Sequence, residues 1–261
     1  MKIAIIGSTG LEIGFICDKS ESIELNIDNQ IVRFDRGYFR EHEVLFFSRN
    51  LKNGACPPND VLYSYIMKAI KLSEVDAILA TSVVGSLNCE YAPGDYVIID
   101  QFLDFTKHRD YTIFNKNKFS FVDFTNPYCE SLRLILKESC LSNKVRFHEK
   151  GCYVGVDGPR YETAAEVKAF GMLGGDVVGM TNIPEVIFAR ELGLCYASIA
   201  LVVNYGAGIN VTPILRKDCY DNTISNLDIT QAILKETLSN IQLKKDCDCS
   251  QKNSDIIQNF N

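Results

Sequence analysis

A single α/β domain, with a central mixed β-sheet flanked by helices, is the fold this sequence predicts. Three observations carry the prediction. Short apolar, β-branched runs alternate with segments of helical spacing along the whole chain. No internal repeat and no low-complexity linker divides it. Its 261 residues, 46% of them hydrophobic, suffice for one large core. The domain is expected over 1–245, followed by a polar tail over 246–261 that should fray.

The elements follow in order. Residues 2–6 read as a buried strand that ends in Gly7-Ser8-Thr9-Gly10. Residues 31–39 and 43–48 read as strands of a meander, with polar turns about Asn29 and Glu41. The run VLYSYIMKAIKL (61–72) has helical spacing, with Asn59 or Asp60 as its N-cap. Residues 76–81 and 96–100 are short apolar runs of strand type, and the polar segment 107–118 reads as a surface excursion. A helix is expected over 127–140, a strand over 151–156 and a helix over 162–173. A further helix over 183–192 leads into a strand over 195–203. The last regular element is a helix over 224–244.

Composition narrows the function. A formal charge of −6 without a basic run argues against a nucleic-acid footprint. No apolar stretch approaches the length of a membrane span, and MKIAIIGSTG does not resemble a signal peptide. A soluble cytoplasmic protein is expected. Most of the ten cysteines, Cys17, Cys129, Cys152 and Cys195 among them, lie inside apolar patterns and read as small reduced hydrophobes. No CxxC pair or Cys/His cluster has zinc spacing, so no metal site is expected. Cys247-Asp248-Cys249 is the exception, either a strained redox pair or an accident of a polar tail.

Ligands of open α/β sheets gather beyond the carboxyl ends of the strands. Four segments are expected to lie there: GSTG after the first strand, SRN at 48–50, TSVVGS at 81–86 and NYGAG at 204–208. GSTG offers backbone N–H groups and two hydroxyls to an oxyanion, but it lacks the lysine of an ATP loop and the spacing of a dinucleotide fingerprint. Arg49 suits a bidentate clamp on phosphate. Taken singly, each has a plainer reading as a turn, a cap or a surface residue.

The segments GDYVIIDQF (95–103), DGPRYETAAEVKAFGMLGGDVVGMTNIPEVIFARELGLCYASIA (157–200) and NYGAG carry a resemblance to the trimeric purine nucleoside phosphorylases and 5′-methylthioadenosine phosphorylases. The likeness runs from residue 1 to about 240. It implies cleavage of the N-glycosidic bond of purine nucleosides by inorganic phosphate, without a metal or organic cofactor, in a homotrimer or dimer of trimers. It implies phosphate contacts from Ser8, Thr9, Arg49, Ser82, Val83 and Thr181. Tyr161 matches the aromatic against the base, and Met180 the residue under the ribose. Glu162 and Asn204 match the two readers of the purine edge. A carboxylate accepts from N1–H of a 6-oxopurine, whereas an adenine reader prefers a carboxylate in place of Asn204, so the resemblance is nearest to the 6-oxopurine branch. Ile214 and Leu215, after Pro213, are expected to wall the 5′ pocket with apolar surface, which suits a 5′-methylthio group. Phe121 falls where the family reaches across from a neighbouring subunit.

The departures keep alternatives open. Asn50 and Gly54 stand where methylthioadenosine phosphorylases carry histidines, and none of His42, His108 and His148 matches a site position. The alternatives are a 5′-methylthioadenosine phosphorylase, or a nucleoside-binding or hydrolytic variant with an impaired phosphate site.

Overall fold

The computed structural model describes residues 1–7, 10–49, 56–114, 121–210, 213–241, 247 and 249. A mixed β-sheet carries helices on both faces, as the sequence predicts. Strand β1 (Lys2–Gly7) sends Ala4 and Ile6 into one core and Ile3 and Ile5 into the other. Burial on both faces is why it reads as an unbroken apolar run. Strands β2 (Ser20–Ile27), β3 (Gln30–Phe39) and β4 (His42–Ser48) form an antiparallel meander that returns β4 parallel to β1. Its turns place Asp28, Asn29 and Arg40 in left-handed backbone. The pattern of 20–27 conceals β2, because Glu21 and Glu24 face solvent and pair across the ladder with Arg36 and Arg33, each at 2.5 Å. Helix α1 (Tyr63–Leu72) starts later than its apolar spacing implies. A 3-10 turn at Pro58–Asp60 precedes it, so Leu62 rather than Asn59 or Asp60 stands at the N-cap.

Strand β5 (Ala77–Ser86) organises the centre. Along one side it pairs parallel with β1 from Ala77 to Ala80, then antiparallel with β10 (Val177–Gly179) at Gly85 and Ser86. Between these two partners lies a fork: residues 81–84 have no strand neighbour on that side among the described residues. Along the other side, β11 (Cys195–Tyr205) pairs parallel with β5 over its whole length. This long ladder corrects the placement of TSVVGS beyond a strand end, since all six residues belong to the strand.

The remaining elements complete the layers. The expected strand at 96–100 is β6 (Tyr96–Ile98); a strand not expected, β7 (Gln101–Asp104), follows, then α2 (Glu130–Ser142), β8 (Phe147–His148) and β9 (Cys152–Gly155). Helix α3 (Ala164–Met172) opens with a reciprocal capping box between Thr163 and Glu166. Helix α4 (Asn182–Glu191) precedes β11. The expected terminal helix over 224–244 is α6 (Leu227–Asn240), and a helix the sequence reading did not expect, α5 (Arg216–Ser225), precedes it across a break at Asn226. Ile66, Met67 and Ile70 of α1 and Val186, Phe188 and Ala189 of α4 fill the core on one face. Leu132 and Leu136 of α2 and Ile233, Leu234 and Leu238 of α6 fill the other.

Two surface readings need correction. Within 107–118, Arg109 turns inward and donates to the carbonyls of Ile183, Val156 and Asp157, with its guanidinium over the Tyr63 ring. In the expected frayed tail, Cys249 is buried and Cys247 packs against the same core. No helix among the described residues is long and apolar enough to cross a membrane.

Candidate active site

The fork in β5 opens into a cavity of about 360 Å³ at the carboxyl edge shared by β4 and β5. Where β1 stops pairing, the Thr81 carbonyl is released from the ladder and accepts a hydrogen bond from Arg49 Nη1 at 2.7 Å. Arg49 itself follows directly on β4 and is 5% exposed. Its Nε and Nη2 donate to Oε1 and Oε2 of Glu185 at 2.5 and 2.7 Å. Glu185, on α4, is fully buried and also accepts from the Tyr196 hydroxyl at 3.0 Å. Burial opposes the charge on Arg49, but Glu185 outweighs it and keeps the guanidinium protonated. Three of the five guanidinium N–H groups thus have protein partners, and one remains on each Nη. Arg49 lines the cavity, so that pair of donors is what it can offer an anion.

The opposite wall comes from β10 and the start of α4. Val178, Gly179, Met180 and Thr181 follow one another along it. The hydroxyl of buried Tyr153 accepts from the Thr181 N–H at 3.1 Å, and the Met180 carbonyl accepts from the Tyr63 hydroxyl at 3.2 Å. These contacts fix the backbone of the turn while leaving the Thr181 and Met180 side chains to the cavity.

The mouth is formed by the segment before α3 and the end of β11. Between Val202 and Asn204 the register of β11 against β5 slips by one residue, a bulge that sets Asn204 opposite Gly85. A Cβ at Gly85 would stand 3.1 Å from Asn204 Nδ2, so the absent side chain makes room for the amide. Asn204 Nδ2 donates to the Tyr205 carbonyl at 2.8 Å, and Oδ1 accepts from the Cys219 thiol at 3.5 Å. One amide hydrogen and one lone pair remain. Gly206 then packs its backbone between Ser86 and α3; a Cβ there would lie 2.9 Å from the Ser86 carbonyl and 3.0 Å from Val167. That close approach brings the NYGAG loop to the helix whose entry carries Tyr161 and Glu162. Desolvation raises the pKa of the half-buried Glu162 carboxyl. Arg160, two residues away, is held by Glu166 at 2.7 and 2.8 Å.

Seven of the residues singled out in the sequence therefore line one cavity: Arg49, Val83, Tyr161, Glu162, Met180, Thr181 and Asn204. Others fall elsewhere. The Ser82 hydroxyl is buried off the cavity, with no hydrogen-bond partner among the described residues. Leu215 is the N-cap of α5 and 54% exposed, and Ile214 is half-buried. In their place α5 presents Arg216 and Cys219 to the cavity. Phe121 is 94% exposed. Ser8, Thr9, Asn50 and Gly54 lie outside the described residues.

Residues 2–239 match the model of the family described as the phosphorylase superfamily. The chain belongs to that family. Within the phosphorylase superfamily it is 41% identical to a probable 6-oxopurine nucleoside phosphorylase of Dictyoglomus turgidum, over 95% of each chain. It is 37% identical to a probable S-methyl-5′-thioinosine phosphorylase of Methanopyrus kandleri, over 96% of each. Among solved structures, methylthioadenosine phosphorylase from Schistosoma mansoni in complex with adenine superposes with a TM-score of 0.91 at 25% identity, covering 98% of this chain and 97% of that one.

Sequence reasoning missed Glu185 and Cys219 in this phosphorylase-superfamily site. A signal for Glu185 existed: an acid between Pro184 and Val186, in a helix that is otherwise apolar there, has to be paired once buried. Cys219 carries no such mark, since a thiol passes for a small hydrophobe.

Proposed function

We propose that this chain is a purine nucleoside phosphorylase that prefers 6-oxopurines, with inosine, guanosine or 5′-methylthioinosine as substrates. The observation that carries the reading is the convergence of Glu162 and Asn204 on one cavity that also holds Arg49. A carboxylate accepts from purine N1–H, and the carboxamide donates to O6 while accepting from protonated N7. In the reaction the C1′–N9 bond breaks, its electron pair enters the purine, and a phosphate oxygen forms the new bond to C1′. With Ser8 and Thr9 added as proposed contacts by the family resemblance, Arg49 and Thr181, beside Val83, hold the phosphate beneath C1′. There its charge stabilises the cation-like sugar as well as attacking it. Met180 lies under the ribose and Tyr161 against the base. Inorganic phosphate is the co-substrate, and the reaction uses no organic cofactor. The names of the Dictyoglomus and Methanopyrus relatives support the 6-oxopurine preference, and Asn204 in place of a carboxylate supports it independently.

The working enzyme is a cytoplasmic homotrimer serving purine salvage, in which Phe121 of a second copy covers the nucleoside. The near-complete exposure of that ring supports the assignment. The 5′ pocket is set by Arg216 and Cys219, which line the cavity where Ile214 and Leu215 do not. The test is a panel of inosine, guanosine, adenosine, 5′-methylthioinosine and 5′-methylthioadenosine, assayed with and without phosphate. Phosphate-dependent release of hypoxanthine and guanine, outpacing adenine, is expected. Release that ignores phosphate would identify a hydrolase, and faster turnover of the adenine nucleosides would assign the chain to the methylthioadenosine branch.

A further inference from the structure

Four cysteines meet at the far end of β11 from Asn204. The Sγ atoms of Cys129, Cys195, Cys247 and Cys249 all lie within 4.8 Å of one another, with Cys195 and Cys247 at 3.3 Å. They come from three separate parts of the chain. Cys129 is the N-cap of α2, and its N–H donates to the Tyr196 carbonyl at 2.8 Å. Cys195 opens β11, while Cys247 and Cys249 come from beyond α6. Cys129, Cys195 and Cys249 are buried, and Cys247 is half-buried. Nine residue steps of extended strand lead from Cys195 to Asn204, about 30 Å, so the cluster has no part in the nucleoside cavity.

Buried thiols alone mean little, because cysteine packs as a hydrophobe. Four thiols converging on one point mean more. Two disulfides need only two close pairs, each at about 2.05 Å, and place no demand on the distance between pairs. A tetrahedral tetrathiolate with metal–sulfur bonds of about 2.3 Å demands that all six sulfur–sulfur distances approach about 3.8 Å together. A cluster in which every separation falls below 4.8 Å fits the second requirement. Sulfur-only ligation selects zinc over the oxygen-seeking cations.

We propose that Cys129, Cys195, Cys247 and Cys249 bind one Zn²⁺ in a structural tetrathiolate site that fastens the C-terminal segment to the starts of α2 and β11. Each ligating thiol yields its proton to solvent as the metal binds, with no change of oxidation state. The site was invisible to spacing along the chain because its ligands are long-range neighbours and CxC is not the usual zinc-ligand spacing.

The test uses the full-length chain, purified under reducing, metal-free conditions and then given Zn²⁺ or Co²⁺ alone. One zinc per chain by native mass spectrometry is expected. Co²⁺ should produce thiolate-to-metal charge-transfer bands and tetrahedral d–d bands that Zn²⁺ abolishes. The double variant Cys247→Ser/Cys249→Ser should bind Zn²⁺ weaker by about 10²-fold or more, while Cys89→Ser and Cys152→Ser should bind it as the parent does. Chelation should lower Tm by about 5 °C or more. Should the double variant fail to fold, the Co²⁺ spectrum of the parent chain decides alone. The proposal is overturned by a reduced chain that takes up no Zn²⁺, by an octahedral Co²⁺ spectrum, or by Zn²⁺ affinity unchanged after both tail cysteines are replaced. It is equally overturned by a native mass short of two or four hydrogens that reduction restores, the mark of disulfides.

Discussion

Asn204 owes its direction to one residue. Val203 drops out of register with β5, and the amide comes to rest over a glycine that has no side chain to block it. Replacing it by an acid, Asn204→Asp, removes the donor to O6 and supplies an acceptor for a 6-amino group. The ratio of kcat/KM for inosine to that for adenosine should fall by on the order of 10²-fold, and an unchanged ratio would remove Asn204 from base reading. Glu162 makes a complementary case. Desolvation raises its pKa above the ordinary 4.5, so the folded protein holds that proton more tightly than the unfolded chain does. Ionising the group therefore costs stability as pH rises through the raised value, whereas accepting from N1–H requires the ionised form. The acid limb of kcat/KM for inosine should accordingly have its midpoint above 4.5. Glu162→Gln should lose on the order of 10²-fold in kcat/KM while its Tm at neutral pH is no lower than the parent's. A variant that loses activity and stability together would point to a scaffolding role for this carboxylate.

At the scale of elements, α4 matters to the anion site without its main surface touching the cavity. It delivers Glu185, which clamps Arg49 from β4 through two parallel hydrogen bonds. Glu185→Gln should raise the KM for phosphate by about tenfold or more and lower stability by about 3–5 kcal/mol, the usual result of stranding a buried cation. Phosphate titration of initial rates and thermal unfolding check the two effects separately, and an unmoved KM would show that Arg49 keeps its pose without the clamp. Legibility also divides by element. Strands buried on both faces, such as β1 and the start of β11, announce themselves as apolar runs. Helices α1 to α4 were legible from their spacing, with ends shifted by a few residues. What stayed hidden were elements that need a partner to exist, namely β2, whose outer face is charged, β10, three residues long, and the second half of β5, which is a strand because β11 lies along it, together with α5, whose polar residues show no apolar spacing.

For the molecule as a whole, the base-reading end of the site was readable and the sugar end was not. Tyr161, Glu162, Met180, Thr181 and Asn204 lie in two segments whose pattern is long and specific, and they converge. Ile214 and Leu215 precede α5, and a shift of one to a few residues along that helix start hands the cavity to Arg216 and Cys219 instead. Phe121, 94% exposed, takes its proposed role only in the proposed trimer. Sedimentation should show a trimer. Phe121→Ala should raise the nucleoside KM about tenfold with the phosphate KM unchanged, since burying one aromatic ring contributes a few kcal/mol at most. Equal effects on both constants would place Phe121 outside the base and sugar contacts.

The Arg49–Glu185 pairing has a further consequence. A guanidinium married to a carboxylate is, seen from bulk water, close to neutral. It cannot summon an anion across solvent; it can only recognise one already delivered, by the angle of two N–H bonds. Capture of the nucleophile should therefore be nearly indifferent to ionic strength, changing by about twofold or less between dilute buffer and about 0.2 M potassium chloride. Discrimination among tetrahedral oxyanions should follow shape and protonation rather than the number of charges they bear.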